Sequence, residues 1–234
     1  MSQPQSPAPR SPNCAGCAVR DECMIGRLPP SEYAKGYQHL VDERPFQKGD
    51  VLMREGETAT VFQVVKLGMA LVLRRDRGGT PVPVALFGPG QVLGKFGLLR
   101  LPNPLTYVAT SSGRLCQVEI EGMDRLGLWS PAFQEQLARA CAKSYERLAD
   151  WSQVMRVSGV TERLTAALLL LAESQRSVLV RLPSQRLLSE LLGARRETIA
   201  RAMRALERTE VVRRRDRWHC ELLGPALALK ARLR

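Results

Sequence analysis

Cys14-Ala-Gly-Cys17, followed by five residues and Cys23, places three thiols close together near the start of the chain. Thiolates at such spacing are ligands for soft metal centres, and a C-x-x-C pair lets two sulfurs meet one inorganic core. Three cysteines leave a four-iron cluster one ligand short, and Cys116, late in a strand-rich region, is the natural fourth. Four thiolates also suit a tetrahedral zinc ion, and ligand type does not separate the two metals. Cys141 and Cys220 fall in other periodic segments and read as core thiols.

A second concentration of chemistry lies at the other end. The chain has 35 Lys and Arg against 23 acidic residues, a net charge of +12. Residues 174–234 hold 14 Arg and one Lys against six acidic residues, so +9 of that excess sits in the last quarter. Such an excess favours a polyanionic partner, nucleic acid or an anionic membrane surface. Arginine in particular suits phosphate and guanine edges. The plainer alternative is a solvated basic face.

Other classes fit poorly. The longest apolar stretch, Leu164 to Ala172, is interrupted only by Thr165. It falls far below the ~20 residues a membrane span requires. Met1 to Asn13 is rich in Pro, Ser and Gln and lacks the apolar core of a signal peptide. A reducing cytoplasm follows, where cysteines serve as ligands or buried thiols rather than disulfides. No P-loop, G-x-S-x-G or H-E-x-x-H motif is present, and His39 and His219 have no partner in sequence, which argues against an enzyme.

The elements that position these residues follow from periodicity. Residues 1–24 comprise a tail and the cysteine segment. From Phe46 to about Glu121, within a domain expected over 25–130, short apolar runs alternate with glycines at a spacing typical of an antiparallel barrel or double-sheet roll. A helix is expected over 131–158, beginning near Pro131. Its Leu137, Cys141, Ser144, Leu148, Trp151 and Met155 recur at spacings of four and three. Such a stripe packs on a second helix or on the chain's own roll. Residues 159–234 read as helix, strand, then two further helices. Ser184 caps Gln185–Leu192, Gly193 makes the turn, and Arg195 to Arg208 forms the second helix. A hairpin of Val211-Val212 and Trp218–Leu222 completes a winged helix-turn-helix.

In these features the sequence resembles the CRP/FNR family of bacterial transcription regulators. Phe46-x-x-Gly-Asp-x-Leu-x-x-x-Gly56 through Gly68 looks like the opening of that family's β-roll, and Leu187 to Arg201 looks like its helix-turn-helix. The resemblance implies an α+β fold. A cyclic-nucleotide-binding-like β-roll (a double-stranded β-helix, or jelly roll) leads into a long dimerisation helix and a C-terminal winged helix-turn-helix. It implies a homodimer on a double-stranded palindromic operator, activating or repressing transcription through RNA polymerase. The cysteine pattern is similar to the oxygen-sensing FNR branch. There a [4Fe–4S] cluster, mapped here onto Cys14, Cys17, Cys23 and Cys116, supports an active dimer that oxygen switches off.

The founding branch binds cyclic AMP through a Gly-Glu-Leu segment and an Arg-Ser or Arg-Thr pair. Here those stretches read Gly94-Lys95-Phe96 and Asn103-Pro104-Leu105-Thr106. A buried cyclic phosphate would lack its charge partner, so no cyclic nucleotide is expected. Lys95 and Arg100 then read as solvated surface charges. Arg196, Glu197 and Arg201 are the expected base-reading residues, since 197 and 201 share a helix face. Ala200, where the FNR branch carries serine, can touch a thymine methyl. Ser184, Gln185, Arg186, Arg195, Arg213, Arg214, Arg215 and Arg217 are expected to meet phosphates. A metal-stabilised constitutive regulator, and a dimeric module using its basic tail on other anionic surfaces, remain open alternatives.

Overall fold

The computed structural model describes residues 14–226, so the expected tail, residues 1–13, lies outside the described residues. After a single turn at Arg20–Glu22, short helices α1 (Pro30–Glu32) and α2 (Gln38–Leu40) flank a wide turn at Tyr33–Tyr37. Strands β1 (Val41–Phe46), β2 (Val51–Met53), β3 (Val61–Leu67), β4 (Ala70–Arg75) and β5 (Pro81–Phe87) come next. They are followed by β6 (Val92–Leu93), β7 (Thr106–Ala109), β8 (Gly113–Glu119) and α3 (Ile120–Arg125). The remainder is helical apart from three short strands. Its elements are α4 (Pro131–Arg156), α5 (Val160–Gln175), β9 (Leu179–Arg181), α6 (Gln185–Leu192), α7 (Arg196–Arg208), β10 (Val212–Arg214) and β11 (His219–Leu222).

The chain divides into two compact units. The first takes the described residues up to Ala70 together with Gly88–Ser144, and the second takes Leu71–Phe87 with everything from Tyr145 onward. In the first unit a four-stranded sheet runs β1-β8-β3-β6, with antiparallel pairing throughout. Alternation puts Phe62 and Val64 of β3 on the same face as Val118 of β8 and Val41 of β1. Met24, Ile25 and Leu28 of the leading segment cover that face, with Tyr37 and Phe133. The Tyr37 and Phe133 rings stack at 5.8 Å, and the Tyr37 hydroxyl donates to the Leu128 carbonyl. Separately, β2 pairs antiparallel with β7.

Two strands go beyond the sequence reading. The β1 stretch, Val-Asp-Glu-Arg-Pro-Phe, is an edge strand whose charged residues and Pro45 sit where no further ladder is made, so it shows no apolar run. The two-residue β6 is too short to leave a pattern.

In the second unit β4 and β5 are neighbours, turned around Asp76, whose carboxylate accepts from the Gly78 and Thr80 amides at 2.8 and 2.9 Å. Helix α5 follows Gly159, whose φ of 83° suits glycine. Its Leu164, Leu168 and Leu171 are fully buried. The helix-turn-helix matches expectation closely. Ser184 Oγ accepts from Leu187 N at 3.2 Å, α6 ends at Leu192, and Gly193 adopts the left-handed conformation that closes it. One apolar stripe on each helix, Leu187, Leu188, Leu191 and Leu192 on α6 and Ile199, Met203 and Leu206 on α7, makes the local core. The wing is a three-stranded sheet in the order β10-β11-β9, one strand more than the expected hairpin.

Candidate functional site

The leading segment winds in successive turns. The Cys14 carbonyl accepts from Cys17 N at 3.4 Å, Cys17 O from Arg20 N at 3.0 Å, and Arg20 O from Cys23 N at 3.1 Å. Gly26 closes the winding tightly, since a Cβ there would lie 2.9 Å from the Arg20 carbonyl. Cys116 enters from β8, directly opposite Val64 of β3 and Glu43 of β1. All four cysteines line a single pocket walled by Val41, Val64, Val118 and Ile25, with Arg20 and Lys66 at its edge.

Burial pushes the Cys23 thiol up to about 11, against the pull of the Gly26 and Ile25 backbone amides. Burial likewise pushes Cys116 up to about 12, with Cys23 adding to the rise and Lys66 opposing it. Burial raises the Tyr33 hydroxyl, followed by its hydrogen bond with Cys14. Amide donors directed at a cysteine sulfur, four cysteines and apolar walls form a donor set that fits an iron–sulfur core in kind. The same four thiolates suit a tetrahedral zinc ion in kind as well, and among the described residues no three His, Cys, Asp or Glu side chains group closely enough to be assigned to a metal ion of either kind.

The segment also meets the first half of α4 within the same unit. Cys23, Met24 and Ile25 share a core cluster with Phe133, Leu137 and Ala140, and Glu22 pairs with Lys143. The α4 stripe proves to be two faces. Ser144 is 3% exposed and bonds inward, accepting from Lys95 Nζ at 2.9 Å. Trp151, 1% exposed, donates its indole N–H to the Leu86 carbonyl at 3.3 Å inside the second unit. Neither is available to a partner, which corrects that part of the expected seam. Cys141 and Met155 are exposed, Leu137 and Leu148 are half-buried, and Tyr145 is 75% exposed.

Lys95 is likewise not a solvated surface charge. It is buried, donates also to the Val92 carbonyl at 3.2 Å, and its pKa is lowered by that burial. Arg100 is exposed and paired with Asp124.

On the helix-turn-helix, Arg195, Arg196, Glu197 and Arg201 are exposed and Ala200 is half-buried. Arg201 reaches Thr198 Oγ1 at 3.4 Å rather than Glu197. The solvent-side Glu197–Arg201 pair is therefore not formed.

A groove of about 320 Å³ runs past Ser184, Gln185 and Arg186 at the start of α6 and Arg196 at the start of α7. Arg214, Arg217 and Trp218 of the wing complete it. Several of these arginines are tied down. Arg186 bonds Glu190 at 2.7 Å, Glu221 draws Arg213 and Arg215, and Arg214 donates to the Asp216 carbonyl at 3.1 Å. The carboxylate of Asp216 accepts from the Trp218 and His219 amides at 2.5 and 2.8 Å, fixing the wing tip. Trp218, absent from the expected contacts, is 43% exposed beneath the Arg217 guanidinium at 4.9 Å. An aromatic amid arginines was the signal for it.

Comparison with known proteins agrees with this layout. Residues 43–127 match the cyclic nucleotide-binding domain family and residues 162–227 the Crp-like helix-turn-helix domain. The chain is 22% identical over 214 residues, 88% of each chain, to the transcriptional regulatory protein btr of Bordetella pertussis. It is 21% identical over 222 residues to the fumarate and nitrate reduction regulatory protein of Vibrio cholerae, covering 90% of this chain and 89% of that one. Its fold is similar to that of FixK2 from Bradyrhizobium japonicum, with a TM-score of 0.68 and 20% identity over 82% of this chain and 96% of that one. A roll domain of this family followed by a Crp-like helix-turn-helix is the domain content of a DNA-binding transcription regulator. The matches support a regulator of the CRP/FNR type. Among the described residues no helix is long and apolar enough to cross a membrane.

Proposed function

We propose that this regulator is of the FNR kind, a cytoplasmic homodimer active while Cys14, Cys17, Cys23 and Cys116 hold a [4Fe–4S] cluster and inactive once oxygen destroys it. One observation carries the reading: cysteines from the leading segment and from β8 line one pocket. Thiolates from a C-x-x-C pair and two further cysteines around one pocket are the ligand type that iron–sulfur cores take. Such a core supplies an oxygen-sensitive crosslink between the segment and the sheet. The chain's own residues do the rest. Held in place, the segment keeps Cys23, Met24 and Ile25 against Phe133 and Leu137 and keeps Glu22 on Lys143, bracing the base of α4.

The outward stripe of α4, exposed Cys141, Tyr145, Ser152 and Met155 with half-buried Leu148, then meets its copy on a second chain. This stripe replaces the inward-facing Ser144 and Trp151 and keeps the four-and-three spacing. Dimerisation presents two α7 helices about 34 Å apart on a palindromic operator. Glu197 and Arg201 read a G·C pair there, Arg196 and Ala200 contact neighbouring bases, and the groove residues hold phosphates. Bound near a promoter, the dimer activates or represses RNA polymerase. No cyclic nucleotide takes part.

Anaerobic purification with iron and sulfide assays tests this reading, together with a visible spectrum before and after air. A brown protein that bleaches and dissociates in air is the expected result, and Cys116→Ser should remove iron, colour and tight operator binding together. A colourless protein with one zinc per chain and an air-stable dimer would overturn it.

A further inference from the structure

Strand β3 pairs with β8 in regular register until Val65, then slips before Leu67, leaving Lys66 in the irregularity. Such bulges re-aim a side chain, and here Lys66 lines the pocket with the four cysteines. Its ammonium donates to Glu43 Oε2 at 2.6 Å, while Arg114 Nη1 donates to Glu43 Oε1 at 3.1 Å. Glu43 stands opposite Cys116 across the β1–β8 ladder, with its side chain only 10% exposed. A cation–carboxylate–cation row therefore runs beside the fourth thiol. Partly exposed and ion-paired with the Glu43 carboxylate, the Lys66 ammonium stands as a fixed positive charge at the pocket edge. Arg20, the other cation at the pocket, is exposed and donates to the Gly26 carbonyl at 3.3 Å, where solvent screens it.

We propose that Lys66 is the charge-setting wall of the cysteine pocket, an ammonium that restrains oxidation of the iron–sulfur core, with Glu43 as its counterweight. The inference rests on the iron–sulfur reading above. Reduction potential follows the charge around a cluster. Loss of one electron from a bound core to dioxygen, giving superoxide, would raise the charge of the site by one. A fixed positive neighbour opposes that rise. Removing Lys66 therefore favours electron loss, whereas neutralising Glu43 leaves the ammonium uncompensated and disfavours it. For one charge at a partly exposed site the effect on rate is about three- to tenfold.

The test uses the full chain, purified without oxygen, as the parent and as Lys66→Met, Lys66→Arg and Glu43→Gln. Iron and sulfide content and thermal midpoint are recorded first, and loss of visible absorbance is then followed on mixing with air-saturated buffer. Lys66→Met should bleach about three- to tenfold faster than the parent, Lys66→Arg should resemble the parent, and Glu43→Gln should bleach more slowly. Equal rates in all four proteins overturn the proposal. So does a shift of Lys66→Met and Glu43→Gln in the same direction, which would mark lost packing rather than charge. A parent without iron and sulfide sinks the cluster reading and this inference with it, whereas a loaded parent with indifferent variants sinks this inference alone.

Discussion

The cysteine pocket and the DNA-binding face are built on opposite principles. The pocket collects half-buried and buried thiols from segments far apart in the chain, and burial pushes Cys23 and Cys116 toward their neutral form. It exists only when the leading segment lies on the β1-β8-β3 sheet. The DNA-binding face is a set of exposed charges on a scaffold of two short helices and a wing, held by caps and turns a few residues long. Damage to the first should therefore act through closure of a structure. Damage to the second should act contact by contact, with the fold intact.

Four variants of the second region probe that contrast. The largest effect is expected from Glu197→Ala combined with Arg201→Ala. Each base contact is worth about 1–3 kcal/mol of discrimination, so operator affinity should fall roughly 100-fold or more while the thermal midpoint holds. Mobility-shift titrations on operator and unrelated DNA measure it, and a matching loss on both DNAs would mean these residues do not read bases. Next comes Ser184→Ala, which removes the oxygen that accepts from Leu187 N. It should cost about 1 kcal/mol of stability by denaturant titration, with iron content unaffected. A coupled loss of iron would show that the two regions are less independent than their construction implies.

The smallest and most diagnostic effect separates two neighbours at the wing tip. Arg217→Ala should lower the slope of log affinity against log salt by about one, as expected for one phosphate contact. Trp218→Ala should weaken binding with the slope unchanged, because an indole carries no charge. Equal slopes for both variants would place Arg217 away from phosphate.

What the chain announces on its own is whatever depends on near neighbours. The boundaries of α6 were legible to the residue because Ser184, the apolar repeat and Gly193 act within one or two turns. Arginine enrichment likewise needed no coordinates. Packing decided the rest. A four-and-three spacing on α4 is satisfied by two adjacent stripes, and only the tertiary structure turned Ser144 and Trp151 inward and left Tyr145 outside. A lysine letter carries charge but not depth, so Lys95 looked solvated until its bonds to Ser144 and Val92 placed it inside. Lys66 depends on a register slip between two strands distant in sequence, and no local pattern encodes such a slip. Side-chain type and short-range geometry belong to the sequence, whereas burial and long-range adjacency arise only when separate segments compete for the same core.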